Sequence, residues 1–443
     1  MASISGTLSR IKQDLEPFLP EQSIRLACQH LGHRYRRRQF DPVATLHLFI
    51  LQVLCFNTAL THLRHLTKMP LTAAAFCKAR MRLPLTLVQL LLRNSATSMV
   101  HSASACWRGL RTWLVDASSS ITPDCPALDK AFGHPSGQKK GCGFPVPKIL
   151  GLFDAVTGLI VEVLSFPLFT HEMSQVARLH PLLGPGDLLV GDRGFCSYGH
   201  LALLHLRGVA ACFRMHQRQI VSFRAGRKQR GKGQKGKPTS TFLKRLGRQD
   251  QVVRWRKPPL RLKPQWITVQ DYQRLPDTLD VREVRYHLEG KGQRTRVVTI
   301  VTTLVDPILY PKASIAELYR IRWQVETHFA ELKTTLRMRK LKCQTVQGVY
   351  KELAIYALVY NLVHVVMMEA ARRQQVDPDR ISFLDTVRWL LSACPGEEMP
   401  ALIVNSPRPD RHEPRVIKDL QDTYRKMTKS RAYLRKHPRW AER

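Results

Sequence analysis

Residues 314–336 constrain the fold of this chain more than any other stretch. The segment contains neither glycine nor proline, so a helix of about six turns is expected. Pro311 lies just before it, at a point where the helix cannot yet have begun. Ser314 and Glu317 have the spacing of a capping box, in which the serine oxygen accepts a hydrogen bond from the amide of residue 317. The sequence therefore predicts a long helix that begins near Ser314.

Two faces of this predicted helix differ in chemistry. At about 100° per residue, one arc is apolar and predicts a buried stripe; its members are Leu318, Ile321, Val325, Phe329, Leu332 and Leu336. The adjacent arc carries one carboxylate between cations and a phenol: Tyr319, Arg322, Glu326 and Lys333. In isolation, Arg322 and Glu326 form an ordinary solvated pair four residues apart, which stabilises a helix by a few tenths of a kcal/mol.

The charge of the chain indicates a polyanionic partner. The sequence has 70 Lys and Arg against 34 Asp and Glu, which gives a net charge of +36. Nucleic acid is the natural partner for such an excess. The basic cluster at residues 30–38 fits either a DNA-backbone contact or a solvated face. A 44% hydrophobic content argues against a ribosomal type of protein, because it predicts large buried cores.

Cysteine usage and apolar runs indicate the cellular compartment of the protein. None of the ten cysteines forms a CxxC pair, and the spacing of Cys125, His134 and Cys142 fits no common zinc site. Reduced thiols in a cytoplasm are expected. The N-terminus lacks the apolar core of a signal peptide. The apolar runs at 44–60 and 353–368 are short for a bilayer and predict buried helices, so no membrane partner is expected.

Changes in residue pattern and charge divide the chain into five parts. Residues 1–105 are helical in pattern and predict an N-terminal DNA-binding domain. Strand patterns follow in 106–213, and 214–299 predicts a β-rich insertion. From Arg214 to Lys263 there are 17 Lys and Arg and one acidic residue, which indicates a nucleic-acid surface. Residues 300–373 contain the Glu326 helix, and 374–443 form a basic tail.

Short apolar runs predict the strands. They lie at residues 111–115, 148–153, 159–166, 187–190, 209–215, 241–246, 252–255, 266–269, 281–288 and 295–304. Asp116 and Asp192 each follow one of these runs. An aspartate at such a place is usually a turn or helix cap. Strand ends nevertheless meet at one edge of a sheet, and a packed helix can bring Glu326 to the same edge. Three gathered carboxylates repel one another, and two oxygen-liganded Mg²⁺ ions would offset that repulsion.

These residues carry a resemblance to a known family. The sequence resembles the IS4-family DDE transposases of bacterial insertion sequences, whose signature is Tyr, Arg, Glu and Lys at fixed spacing. Here the signature residues are Tyr319, Arg322, Glu326 and Lys333, with every spacing matched. The segments WLVDASSS and GDRGFCSY resemble the family's first and second Asp segments. The first Asp is usually followed by glycine in that family, and here it is followed by alanine. The resemblance extends from about residue 10 to 370.

The resemblance implies a fold and a chemistry. It implies an α/β fold with an RNase H-like catalytic core interrupted by a β-rich insertion, after a helical N-terminal domain. Asp116, Asp192 and Glu326 are implied as ligands of two Mg²⁺ ions, with Mn²⁺ as a possible substitute. The implied reaction is nicking at the element end, followed by attack of the 3′-hydroxyl on the other strand or on target DNA. The implied partners are double-stranded DNA, as terminal inverted repeats and as target, and a second copy of the chain in a synaptic homodimer.

The remaining expectations concern DNA contacts. Tyr319, Arg322 and Lys333 are implied as contacts to phosphates near the cut end. Arg193 is a candidate to hold Asp192 or a phosphate. Relatives stack a flipped base on a tryptophan; the available ones here are Trp255, Trp266 and Trp323, for which core packing is the alternative. Two other functions stay open: a catalytically inactive DNA-binding protein derived from a transposase, and a general nuclease of the same fold.

Overall fold

A computed structural model of the chain describes residues 19–36, 38–67, 70–102, 107–136, 142–219, 221–224, 237–287, 297–393, 397–406 and 429–437. Most of the glycine-rich cationic segment at 224–237 and most of the basic run at 424–443 lie outside these residues.

The N-terminal region is helical, as the sequence predicts. Within the described residues up to 102 the helices are α1 (Glu21–His30), α2 (Pro42–Leu54), α3 (Leu60–Thr67), α4 (Ala73–Arg82) and α5 (Leu85–Ser102). Asp41 caps α2 by accepting from the amide of Ala44 at 2.8 Å. The helix predicted across 42–60 is interrupted, because Phe56 and Asn57 have φ values of 57° and 51°. Such left-handed backbone cannot continue a right-handed helix.

The described strands form one mixed sheet. The strands are β1 (Arg111–Ser119), β2 (Lys148–Asp154), β3 (Ile160–Phe166), β4 (Asp187–Gly191), β5 (Ala210–Arg214), β6 (Thr239–Gly247), β7 (Asp250–Arg256), β8 (Thr278–His287) and β9 (Val297–Thr302). Their order is β3-β2-β1-β4-β5-β9-β8-β7-β6. The β1–β4 and β4–β5 pairs are parallel, and the other neighbouring strands pair antiparallel. The strands of the segment 214–299 therefore extend the sheet that contains β1 and β4.

One strand prediction is wrong. Residues 266–269 form no strand; instead α9 (Val269–Arg274) begins there. Thr268 caps this helix, since its hydroxyl oxygen accepts from the amide of Asp271 at 3.0 Å. The pattern of apolar and polar residues at 266–269 fits both elements over so short a length, and the cap decides for the helix.

The remaining helices lie between strands in the sequence or after the last strand. They are α6 (Pro126–Phe132), α7 (Met173–Val176), α8 (Tyr198–Leu206), α10 (Lys312–Ile321), α11 (Gln324–Ala330), α12 (Val346–Gln374), α13 (Phe383–Ser392) and α14 (Arg431–Lys436). Side chains alternate between two cores on the opposite faces of the sheet. Leu114 and Val190 belong to the core that contains α2, α5 and α12, whereas Val115 and Leu189 belong to the core under α8.

The long helix α12 is buried, as predicted for residues 353–368. Of the described helices it alone is long and apolar enough to cross a membrane, but 83% of its most apolar window is buried inside the protein. It packs against α2, α5 and α13. The contact with α13 shows that part of the predicted tail, residues 383–392, belongs to the folded body.

A buried carboxylate in the β6–β9 region makes stability depend on pH. Glu283 is fully buried and accepts hydrogen bonds from Gln251 at 2.8 Å and Trp255 at 3.4 Å. Burial raises the pKa of Glu283 to about 7, although both hydrogen bonds oppose the shift. Below about pH 4.5 the carboxyl is protonated in both the folded and the unfolded chain. Between about pH 4.5 and 7 the unfolded chain loses this proton first, so the free energy of unfolding falls as pH rises.

Glu283→Gln is therefore expected to stabilise the protein at pH 8 and to leave it nearly unchanged at pH 4.5. The expected gain at pH 8 is up to about 3 kcal/mol, because each pKa unit corresponds to about 1.4 kcal/mol. Denaturant unfolding at the two pH values measures it. Exposed Glu317→Gln is the control, and an equal pH response of the two variants would contradict the prediction.

Candidate active site

The sheet register places Asp116 beside Asp192. Val115 of β1 pairs with Gly191 of parallel strand β4, and this is the last pair of that ladder. The residue that follows each member of this pair is an aspartate, Asp116 or Asp192, so the two carboxylates lie at the same edge of the parallel ladder. Gly191 lets the strands and the following turn close, since a Cβ there would lie 2.9 Å from the side chain of Val115.

The position of Asp116 differs from the sequence expectation in one respect. Asp116 does not end its strand, because β1 continues to Ser119 through antiparallel pairing with β2. The parallel pairing with β4 does end there. Asp116 therefore lies where one neighbour of β1 departs and the other remains, which opens space on the β4 side. Asp192 follows the end of β4 as predicted.

The predicted six-turn helix is divided. Helix α10 ends at Ile321, α11 runs from Gln324 to Ala330, and a π-helical turn follows at Glu331–Thr335. The amide of Glu326 bonds to the carbonyl of Trp323, three residues back, and that of Leu336 to Glu331, five residues back. No glycine or proline causes these changes; π turns of this kind are frequent at functional sites.

The predicted capping box is also wrong. The helix begins two residues earlier, at Lys312 after Pro311, whose fixed φ suits the start of a helix. Ser314 is therefore already inside the first turn, and its hydroxyl accepts from Arg108 at 2.7 Å instead. The apolar stripe is buried as predicted, with Leu318 and Val325 fully buried and Ile321 partly so.

Phe329 brings the helix onto the sheet next to Asp116. Its ring packs edge-on against Phe153 of β2, with centroids 5.3 Å apart. Gly151 is the β2 partner of Asp116, and a Cβ on it would approach Phe329 to 3.3 Å. The missing side chain at this position therefore lets the helix come close to the strand that carries Asp116.

Arg322 lies between the carboxylates. Its guanidinium donates to Asp116 at 3.4 Å and to Glu326 at 3.0 Å, and only 7% of its side chain is exposed. The Tyr319 hydroxyl donates to Asp192 at 3.4 Å. Burial alone would lower the pKa of Arg322, but Tyr319 and the three carboxylates outweigh it and raise the pKa. The pair that looked solvated in the sequence is thus part of a cluster that joins both sheet aspartates to the helix.

The carboxylates destabilise one another's charge. Burial, with smaller contributions from the charges of Asp192 and Glu326, raises the pKa of Asp116 to about 6, although the amide of Ala117 and the Arg322 guanidinium oppose the shift. A cation between the carboxylates would relieve this repulsion. The donor set is all oxygen, which suits Mg²⁺ and Mn²⁺. The three ligand atoms are not all within 4.8 Å of one another, so the arrangement is wider than a closed single-ion site.

A cavity of about 690 Å³ opens beside Asp116 and Glu326 and is also lined by Lys333 and Arg339. The Lys333 ammonium donates to the hydroxyl of Ser118 at 3.1 Å. The sequence reasoning missed Ser118, although it lies two residues after Asp116 and so on the same face of β1. Burial lowers the pKa of Lys333, with the charge of Arg339 acting in the same direction.

The other candidates lie apart from this cluster. Arg193 is exposed and donates to Gln217 at 3.0 Å. Trp255 is fully buried and donates to Glu283, and Trp266 packs on the core under α8, so the core alternative applies to both. Trp323 differs: it is 50% exposed, and the Arg322 guanidinium lies 4.7 Å from the centre of its ring.

Comparison with known proteins agrees with this geometry. The family model for the transposase DDE domain matches residues 107–362. The chain is 23% identical over 367 residues to the transposase InsG for insertion sequence element IS4 of Escherichia coli (strain K12), across 78% of this chain and 76% of that protein. It is also similar to the cryo-EM structure of the piggyBac transposase synaptic complex with hairpin DNA, with 10% identity, a TM-score of 0.42, and coverage of 86% of this chain and 78% of that one. Because the family match spans more than half of the chain, this chain belongs to the transposase DDE domain family, as an IS4-family DNA transposase.

Proposed function

We propose that this transposase cuts DNA at the ends of an insertion sequence and joins the freed 3′-hydroxyl to target DNA. The observation that carries the proposal is the meeting of Asp116, Asp192 and Glu326 around Arg322. Phosphodiester cleavage needs a charge-stabilising centre next to a cationic DNA surface, and the cluster combines both. The mixed sheet supports an RNase H-like core built on β1 to β5 and β9, which the strands β6 to β8 interrupt.

In this proposal Asp116, Asp192 and Glu326 hold two Mg²⁺ or Mn²⁺ ions. Bound there, the ions would activate a water or 3′-hydroxyl and stabilise the leaving oxygen. The protein would contribute rigidity: Asp116 is fixed by the amide of Ala117 at 2.8 Å, and Asp192 by the hydroxyl of Tyr319. Arg322 would balance the carboxylate charge until the ions arrive.

Three residues of the signature are proposed as phosphate contacts. Arg322 has a buried Nε with no hydrogen-bond partner in the described structure, so its guanidinium keeps donor capacity beyond its bonds to Asp116 and Glu326. Lys333 lines the cavity as a point charge, and Tyr319 offers a phenol. Half-exposed Trp323 lies next to Arg322 and is the tryptophan best placed to stack on an unpaired base.

A second DNA contact is proposed in the helical N-terminal region. A groove of about 770 Å³ is lined by several cations, among them Arg34, Arg36, Lys78 and Arg82. Such a groove suits the phosphate backbone of a duplex. We therefore propose that residues 1–105 bind DNA. We also propose that the protein acts as a homodimer across two element ends and works in the cytoplasm on nucleoid DNA.

Cleavage of element-end DNA tests the proposal. Purified protein is incubated with a labelled duplex that carries the element's terminal repeat, and with a scrambled duplex of equal length. Cleavage at the repeat end in Mg²⁺ or Mn²⁺, but not in EDTA, is the expected result. Binding without metal-dependent products would support the inactive DNA-binding alternative, and equal cutting of both duplexes would indicate a general nuclease.

Lys333→Ala is expected to weaken binding of end DNA and to lower the slope of log affinity against log salt by about one, since one phosphate contact is lost. Electrophoretic mobility shifts over a salt series measure the slope. Arg372→Ala removes an exposed cation that is paired with Glu369 at 2.8 Å, and it should leave the slope unchanged. A Lys333→Ala slope equal to that of wild type would remove Lys333 from the DNA interface.

A further inference from the structure

Two histidines and a glutamate converge where α11, which carries Glu326, meets α12. His328 lies on α11, Glu331 begins the π turn, and His364 lies on α12. Their ligand atoms all lie within 4.8 Å of one another, and they form the one such group of three among the described residues. Glu331 Oε2 is 3.4 Å from His364 Nε2 and 3.8 Å from His328 Nδ1. No sequence pattern predicts this group, because 33 residues separate Glu331 from His364.

The group is enclosed and polar atoms in it lack partners. His328 and His364 are 4% and 3% exposed. His328 Nδ1 has no hydrogen-bond partner in the described structure, since 3.8 Å is too long for an ordinary hydrogen bond. The hydroxyl of Tyr360, whose ring lies 4.2 Å from that of His364, is also buried and unpartnered. Buried polar atoms of this kind require a water, an ion or another explanation.

The hairpin turn between β2 and β3 closes one side. Gly158 has a φ of +70°, and a Cβ on it would lie 2.9 Å from Nδ1 of His364. The turn can therefore come this close only with glycine. Burial would raise the pKa of Glu331, but the two histidines outweigh it and lower the pKa to about 2. Glu331 is thus an anion at neutral pH, held against the two imidazoles.

We propose that His328, Glu331 and His364 bind one transition-metal ion of the Zn²⁺ class. Two imidazoles and a carboxylate are a zinc ligand set, and three protein ligands leave a fourth position for water. In a tetrahedral zinc site, with metal–ligand bonds of about 2.0–2.1 Å, neighbouring ligand atoms lie about 3.4 Å apart, which is close to the two distances to Glu331. Mg²⁺ prefers oxygen ligands, so this site and the carboxylate site select different ions.

The ion would link α11 to α12. His328 is two residues after Glu326, so an ion there joins the helix that carries the third carboxylate to the central helix α12. Asp379, whose charge interacts with both histidines, accepts from Gln324 at the start of α11 and adds a second link. Metal binding would thus hold Glu326 in register with the sheet without entering the reaction.

Co²⁺ and Zn²⁺ binding test the inference. The double variant Asp116→Asn/Glu326→Gln removes the carboxylate site, and the full chain is stripped with chelator and titrated with Co²⁺. We expect one Co²⁺ per chain, with the intense visible bands of a four-coordinate site, displaced by one Zn²⁺. His364→Gln and Glu331→Gln in this background should each weaken binding at least ~100-fold, because even residues that only support a ligand cost 10–100-fold.

The second buried histidine pair supplies the matched control. His180 and His200 stack with ring centroids 5.1 Å apart and belong to no described group of three ligands. His180→Gln should therefore bind Co²⁺ as the parent does. Absence of stoichiometric Co²⁺ binding, or equal binding by His364→Gln, would overturn the inference and leave a histidine–carboxylate hydrogen-bond network. If circular dichroism shows that both ligand variants fail to fold, NMR of the double variant decides whether the site exists. Added Co²⁺ must then broaden the imidazole signals of His328 and His364 before those of His180.

Discussion

Asp116→Ala, Asp192→Ala and Glu326→Ala are each expected to lower metal-dependent cleavage of element-end DNA by at least ~10³-fold. Loss of one ligand weakens a centre that stabilises the transition state by several kcal/mol, and each 1.4 kcal/mol is about tenfold in rate. Single-turnover cleavage of a labelled duplex at saturating protein measures the loss of rate. At saturation, a change in DNA affinity does not affect the measured rate. The cleavage rates of the three variants should fall by similar factors, because the three carboxylates are proposed to hold the same pair of ions.

Glu369→Ala is the matched control for these substitutions. Glu369 is also an acidic helix residue held by arginines, with Arg372 and Arg373 both at 2.8 Å, but it lies near the end of α12. Its removal should leave the cleavage rate within a factor of about two, since it touches no reacting group. DNA binding by all four variants should persist. If Asp116→Ala cut as well as Glu369→Ala, the proposed catalytic role of the cluster would fail.

Arg282→Ala is expected to destabilise the fold by about 3–5 kcal/mol, because it leaves a buried carboxylate without its cation. Arg282 on β8 is fully buried and forms two hydrogen bonds to Asp250 on β7, at 2.8 and 2.6 Å. It also donates to the carbonyl of Tyr310 at 2.6 Å, just before α10 begins at Lys312. Loss of Arg282 therefore disturbs both the β6–β9 region and its connection to α10. Chemical denaturation at pH 7 measures the change in the free energy of unfolding.

The same two strands carry an exposed pair of equal geometry. Arg254 and Asp280 join β7 to β8 by two hydrogen bonds of 2.7 and 2.8 Å, but both side chains are more than 40% exposed. Arg254→Ala should change stability little, because water and salt already screen such a pair. Asp250→Leu/Arg282→Met should recover much of the loss, since replacing both charges leaves neither unpaired. Equal effects of Arg282→Ala and Arg254→Ala would show that burial does not govern this pair.

The sequence supplied most of the secondary structure and the identity of the cluster. Period-two and helical patterns placed the strands from 111–115 to 295–304 and the buried helix at 353–368, with the error at 266–269 confined to a segment of four residues. The spacing of Tyr319, Arg322, Glu326 and Lys333 predicted that these residues share one helical face, because residues three and four apart are neighbours on a helix.

Pairing between distant strands could not be read from the sequence. Asp116 looked like a strand end, since its apolar run stops there, yet antiparallel pairing with β2 carries β1 on to Ser119. The register of Val115 with Gly191 brings the two aspartates together across 76 positions of sequence. Such register depends on which faces are buried, and that is a property of the whole sheet.

By itself, the sequence determined the charge, the elements and the residue types of the proposed reaction. Only the tertiary structure decided that Arg322 is buried between carboxylates, that the helix divides at Arg322 and turns π-helical at Glu331, and that His328 and His364 meet. The physical reason is the range of the forces. Propensity and capping act within a few residues, whereas burial, charge pairing and ligand geometry depend on groups that the chain brings together from far apart.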